Sequence, residues 1–209
     1  MSEYTTDEEK VEALKKWWQE NGKSVIVGIV LGVGGLFGWR YWVDTNESRA
    51  ERASDLFLAV DRASRDGDVE GARGHADMLR NDYARTPYAA MAALELARLQ
   101  ATRGELDVAS EQLRGVMDQG RGNEITWTAR VRLARVQMAM ERPDEALDIL
   151  AGDYPSGFDA LVEELRGDAW RAKGDQDQAR TAYDRAIAAS AGGSEYLQMK
   201  RDQVAVPGV

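Results

Sequence analysis

His75 is the only histidine among the 209 residues, and there is no cysteine. Nucleophilic catalysis of the Ser-His-Asp or Cys-His kind needs a histidine within hydrogen-bond reach of its nucleophile, and zinc centres draw on several His or Cys ligands. A lone histidine without companions supports neither, and the absence of thiols removes disulfides and thiolate chemistry. Carboxylates are plentiful, but Asp175 with Asp177 and Glu163 with Glu164 fall in a turn and on a helical pattern, where solvation and helix-terminus charge account for them. Among the 20 glycines there is no G-x-x-x-x-G-K-[ST] loop and no strand-linked G-x-G-x-x-G to cradle phosphate. No catalytic, cofactor-binding or metal-ligating residue is assigned, so no cofactor is expected and the expected function is non-enzymatic. With 27 basic against 36 acidic residues the formal charge is −9, which leaves no broad cationic surface for a phosphate backbone and excludes nucleic acid from the expected partners.

What remains is the chemistry of surfaces, which depends on the elements that display it. The segment LRGDAWRAKGDQDQARTAYDRAIA, residues 165–188, places small Gly167 and large Trp170 before a turn at Gly174-Asp175, then Ala179, Tyr183 and Ala186. Small residues where two antiparallel helices cross, with large ones filling the space around them, are the pattern of a tetratricopeptide repeat. The pattern recurs in register. Ala179 is preceded by Ala146, Ala109 and Ala72, Gly174 by Glu141, Gly104 and Gly67, and Gly167 by Ala134, Ala97 and Val60. The spacings depart from about 34 residues, and the surplus is expected in loops between hairpins. AALELARLQATRGELDVASEQLRGVM and ARVRLARVQMAMERPDEALDIL repeat apolar residues every three or four positions, as helices do. SEYLQMKRDQVAV is expected to cap the last repeat.

In such an array the first helix of each hairpin builds an inner wall. The alignment puts Arg98, Arg135 and Asp168 at one wall position and Ala101, Met138 and Arg171 at another. The guanidinium groups of Arg98 and Arg135 suit carboxylates, and the Met138 thioether suits an adaptable apolar contact. These residues form the candidate partner groove; ordinary solvated side chains are the alternative reading of the same positions.

A different piece precedes the array. Residues 24–43 carry one charge, Arg40, and at about 1.5 Å per residue span ~30 Å, one hydrocarbon thickness. Trp17 and Trp18 before it, and Trp39, Tyr41 and Trp42 after it, suit headgroup depth, and no small-x-small cleavage site follows closely. An uncleaved transmembrane anchor is expected. Gly28, Gly32 and Gly35 share one helix face and are the candidate membrane-helix packing residues. Ahead of it, residues 1–23 read as an amphipathic tail whose helix, capped at Thr5 or Thr6, breaks at Asn21-Gly22 or continues into the span. The lysines Lys10, Lys15, Lys16 and Lys23 are nearly balanced by Arg40, Arg49, Arg52 and Arg62 beyond the span, so charge counting gives only a slight preference for an inward tail. The expected fold is all-α: one N-terminal transmembrane helix, then a tetratricopeptide-like α-solenoid of about four hairpins over residues 44–209 with a C-terminal capping helix.

The order of ENGKSVIVGIVLGVGGLFGWRYW, AALELA, RLARVQ, LRGDAWRAKGDQDQAR and LQMK closely resembles the YfgM family of ancillary SecYEG translocon subunits, over nearly the whole chain. The resemblance implies a single-pass protein of the bacterial inner membrane with a cytoplasmic tail and a periplasmic repeat domain. It also implies a scaffold that helps hand emerging secretory polypeptides from SecYEG to periplasmic chaperones, with a PpiD-type membrane-anchored chaperone as partner. It carries no catalytic residues. A scaffold for envelope assembly that never touches unfolded secretory chains is the alternative.

Overall fold

The computed structural model describes residues 7–120, 123–190 and 194–204, and its contacts separate two units, Met1–Glu51 and Arg52–Val209. Helix α1, Asp7–Arg65, supplies all the described structure of the first unit and, from Arg52, the first helix of the second.

Within the first unit the helix runs on through Asn21-Gly22, the second of the two courses the sequence left open. The Asn21 side-chain amide donates to the Trp17 carbonyl at 3.1 Å, and Gly22 lies buried beneath the Trp18 indole. A side chain one turn away thus holds the helix at two residues whose intrinsic propensity disfavours it by ~1 kcal/mol or less each. The proposed caps at Thr5 and Thr6 lie outside the described residues. Further along, Ile26, Leu31, Leu36 and Phe37 are exposed, Leu36 by 72%, so the apolar run has no protein covering within this unit. Among the described residues it is the one helix long and apolar enough to cross a membrane. A Cβ added at Gly28, Gly32 or Gly35 would meet nothing within 4 Å, so these glycines leave a helix face open.

The second unit is a stack of helical hairpins. The end of α1 pairs with α2 (Val69–Asp82), α3 (Pro87–Thr102) with α4 (Leu106–Asp118), α5 (Asn123–Ala139) with α6 (Pro143–Ile149), and α7 (Asp159–Ala172) with α8 (Gln176–Ala189). Helix α9, Glu195–Asp202, packs on α8, its N-terminus closed by the Ser194 hydroxyl accepting from the Leu197 amide.

All four hairpin turns have the same chemistry. Gly67, Gly104, Glu141 and Gly174 take φ of 74°, 82°, 60° and 81°. The next amide in each turn, from Asp68, Glu105, Arg142 or Asp175, bonds five residues back to the carbonyl of Ala63, Gln100, Gln137 or Trp170 at 2.9–3.0 Å. This is the Schellman closure, which satisfies carbonyls the helix would otherwise orphan and requires a left-handed residue. Asp68 and Asp175 then cap the second helices, accepting from the amides of Gly71 and Gln178. Glu141 is the one non-glycine with positive φ among the described residues. A side chain there costs about 1 kcal/mol. Glu141→Gly is therefore expected to raise the thermal midpoint of the detergent-solubilised protein by a few degrees, at roughly 2–4 °C per kcal/mol for a chain of this size.

Ala72, Ala109, Ala146 and Ala179 have no exposed surface, and Val60, Ala97 and Ala134 are equally enclosed at the crossings. At Gly167 the partner helix comes closest, with a Tyr183 ring carbon 2.6 Å from where a Cβ would stand. The surplus of the 37-residue spacing, expected in loops between hairpins, lies in the helices instead. Only residues 83–86 join α2 to α3, and the surplus lengthens helices, α3 to 16 residues and α5 to 17 against 14 in α7. The shorter third unit instead has a seven-residue α6 and a long connection through the 3-10 turn Ser156–Phe158. There Tyr154 and Phe158 fold back on Trp127, with ring centroids 5.6 and 6.4 Å away, and fill the space of the missing turns.

Candidate functional site

Six residues before each left-handed residue, the first helices present Asp61, Arg98, Arg135 and Asp168 at equivalent places. Two clefts open along this wall. A cleft of about 430 Å³ between α3 and α5 has Arg98, Arg132 and Arg135 over a floor that includes Ala97, Ala101 and Val136. A second, of about 530 Å³, brings Arg135, Met138, Asp168 and Arg171 together with Tyr196 and Lys200 of α9. Arg135 lines both, so the residues singled out by repeat spacing fall in two adjoining clefts joined at one guanidinium. Arg98 and Ala101 lie in the first only, and Met138, Asp168 and Arg171 in the second only.

Their charges are not equally available. Glu95 fixes Arg98 in a fork, accepting from Nε at 3.0 Å and from Nη2 at 2.5 Å, and this bond raises the Arg98 pKa. Arg132 is half-buried and donates from Nη1 to the Leu94 carbonyl at 2.9 Å. Burial lowers its pKa, Glu95 acts in the opposite direction, and the positive charges of Arg98 and Arg135 lower it further. Arg135 is exposed and has no acidic partner or hydrogen bond among the described residues.

Asp168 is committed. Its Oδ1 accepts from the Tyr183 hydroxyl at 2.7 Å and its Oδ2 from the Lys200 ammonium at 2.7 Å, while Arg171 stays 4.0 Å away. Lys200 also donates to Glu164 at 2.7 Å. Its side chain is only 11% exposed and stands 4.9 Å from the Tyr196 ring centroid. Burial opposes the charge on Lys200, but bonds to Asp168, Glu164 and Tyr196 outweigh it and lift the pKa well above the usual lysine range. Burial first, and then the bond to Asp168, pushes the Tyr183 phenol up as well. The folded chain therefore favours charged Lys200 and neutral Tyr183. Their stabilisation is complete below the ordinary values, about 10.4 for lysine and 10 for tyrosine, and fades as pH rises through the higher native ones. The thermal midpoint of the full chain is expected to hold between about pH 7 and 9 and to fall above about pH 10. Lys200→Met should lower the midpoint at neutral pH and flatten the alkaline fall.

Repeat spacing did not single out Arg132, Glu164, Tyr196 or Lys200. Arg132 lies three residues before Arg135 on one helix, a spacing that puts both on one face. The fold-back of α9 onto α7 joins residues 32 and 36 apart, which no local periodicity encodes. His75 is half-buried on α2, away from both clefts.

A tetratricopeptide repeat-like family matches residues 15–206. The chain is 34% identical over 212 aligned residues to the ancillary SecYEG translocon subunit of Escherichia coli K12, covering 99% of this chain and all of that protein. It is 30% identical to the protein of the same name from Haemophilus influenzae, over 86% of this chain and 88% of that one. Among solved structures it is similar in fold to TPR-like repeats of Podosopora anserina, with a TM-score of 0.58 and 19% identity over 74% of this chain and 85% of that one. A helical repeat array that keeps its turn chemistry through four hairpins, together with 34% identity over 99% of the chain to the Escherichia coli protein, places the chain in the YfgM family of tetratricopeptide-like ancillary SecYEG translocon subunits.

Proposed function

We propose that this chain is a non-enzymatic inner-membrane scaffold of the SecYEG translocon. Its apolar segment at residues 24–43 crosses the bilayer as a signal anchor. Residues 1–23 stay in the cytoplasm, and the array, residues 44–209, faces the periplasm. There the groove meets secretory polypeptides as they emerge, and they pass on to a membrane-anchored chaperone of the PpiD type. Gly28, Gly32 and Gly35 form the face on which another membrane helix packs.

The observation that carries this reading is the wall that meets at Arg135. Two clefts adjoin there, with a guanidinium that has no partner among the described residues, the Met138 thioether in one cleft and Ala97, Ala101 and Val136 in the other. Such a wall suits an extended chain rather than a compact small molecule. The relatives' translocon name supports the location. A reporter enzyme that is active only outside the cytoplasm, fused after Val209, tests the topology on which the rest depends. Activity is expected from the full-length fusion, and an intact but inactive fusion contradicts the reading.

A further inference from the structure

We propose that the cleft between α3 and α5 selects for side-chain carboxylates on an extended segment, so that acidic stretches with small apolar neighbours are the preferred occupants. This rests on the reading of the groove as a polypeptide site and names the chemistry that site favours.

Charge supplies the first ground. The chain is acidic overall, at −9, yet Arg98, Arg132 and Arg135 converge on one cleft. The acids beside them are already held by bases: Asp61 by Arg65, Glu95 by Arg98, and Glu164 and Asp168 by Lys200. Arg135 has no acidic partner among the described residues, and Arg132, crowded by two like charges and partly desolvated, gains from an incoming anion. A guanidinium presents two parallel donors that match a carboxylate, and such charge-assisted pairs are about twice as strong as neutral ones.

Geometry supplies the second. The lining beside the arginines is mainly apolar, with Ala97, Ala101, Leu106, Leu113 and Val136, and its one hydroxyl, Thr102, already donates to the Leu99 carbonyl at 2.7 Å, which leaves room for small apolar groups. Arg135 also lines the neighbouring cleft, so a segment lying along the wall passes it in mid-course. Mid-course placement favours side-chain carboxylates over a chain terminus. In the second cleft Glu164 and Asp168 share Lys200, and Arg171 stands 4.0 Å from Asp168, so the two acids there face two bases.

The test uses the full-length protein in detergent micelles and fluorescence anisotropy. The probes are a labelled, C-terminally amidated peptide alternating Asp with Ala and Leu, its Asn and Lys counterparts, and the Asn peptide with a free C-terminus. The Asp peptide is expected to bind about tenfold more tightly than the Asn peptide, with affinity falling as salt rises. Arg135→Glu should abolish that preference and favour the Lys peptide, while leaving the thermal midpoint unchanged. Equal binding of the Asp and Asn peptides, preference for the free C-terminus alone, or an Arg135→Glu variant that keeps the wild-type order overturns carboxylate selection. If no peptide binds but an unfolded secretory polypeptide does, selection is likewise overturned and the groove reading stands. If neither binds, the reading beneath it falls too.

Discussion

Gly167→Ala is expected to destabilise the protein by about 2 kcal/mol, although alanine is the better helix former by ~1 kcal/mol. The added methyl would stand 2.6 Å from two Tyr183 ring carbons, inside van der Waals contact. The ring cannot step aside cheaply: Tyr183 is fully enclosed, and its hydroxyl is bonded to Asp168, itself bonded to Lys200. At roughly 2–4 °C per kcal/mol the thermal midpoint of the solubilised chain should fall by about 4–8 °C. Adding Tyr183→Leu should recover part of that loss, because the two changes compete for one space and their effects are not additive. A neutral or stabilising Gly167→Ala would mean that the crossing of α7 and α8 is looser than described.

Val30→Asp together with Val33→Asp should release the protein from membranes. Both positions are exposed, at 63% and 46%, within an apolar run that has no protein cover in its unit. Each aspartate near the centre of a spanning helix costs about 2.5–3.5 kcal/mol on insertion scales. The pair therefore opposes insertion by roughly 5–7 kcal/mol. After alkaline carbonate extraction the wild-type chain is expected in the pellet and the double variant largely in the supernatant, whereas leucine at both positions changes nothing. Equal retention of the aspartate variant would remove lipid as the solvent of this segment.

The periodic parts of the fold were legible in the sequence because local physics imposes them. A left-handed turn position selects glycine, and three of four turns have it; the fourth, Glu141, was found from register alone and takes the same φ. The crossing residues Ala97, Ala134 and Gly167 were legible for a related reason, since close approach tolerates only small side chains. At Asn21-Gly22 the sequence left a break or a continuous helix open, and the helix continues because an i−4 side-chain bond and a covering indole outweigh a weak propensity. In the groove, spacing placed Arg98, Arg135, Met138, Asp168 and Arg171 on the wall. It could not reveal which charges are spent. Asp168 and Arg135 occupy equivalent positions, yet one is locked between Tyr183 of α8 and Lys200 of α9 and the other has no partner among the described residues, a difference that tertiary contacts set.

The role proposed for the groove at the translocon is tested most directly by placing a photo-crosslinking amino acid at Met138 in the full-length protein, in cells whose SecYEG holds an arrested secretory chain. The account predicts adducts with that chain that weaken in Arg135→Glu, and no adducts from a probe at Thr181 on the exposed face of α8. Adducts confined to one folded envelope protein, or equal capture of the arrested chain from both positions, would contradict it.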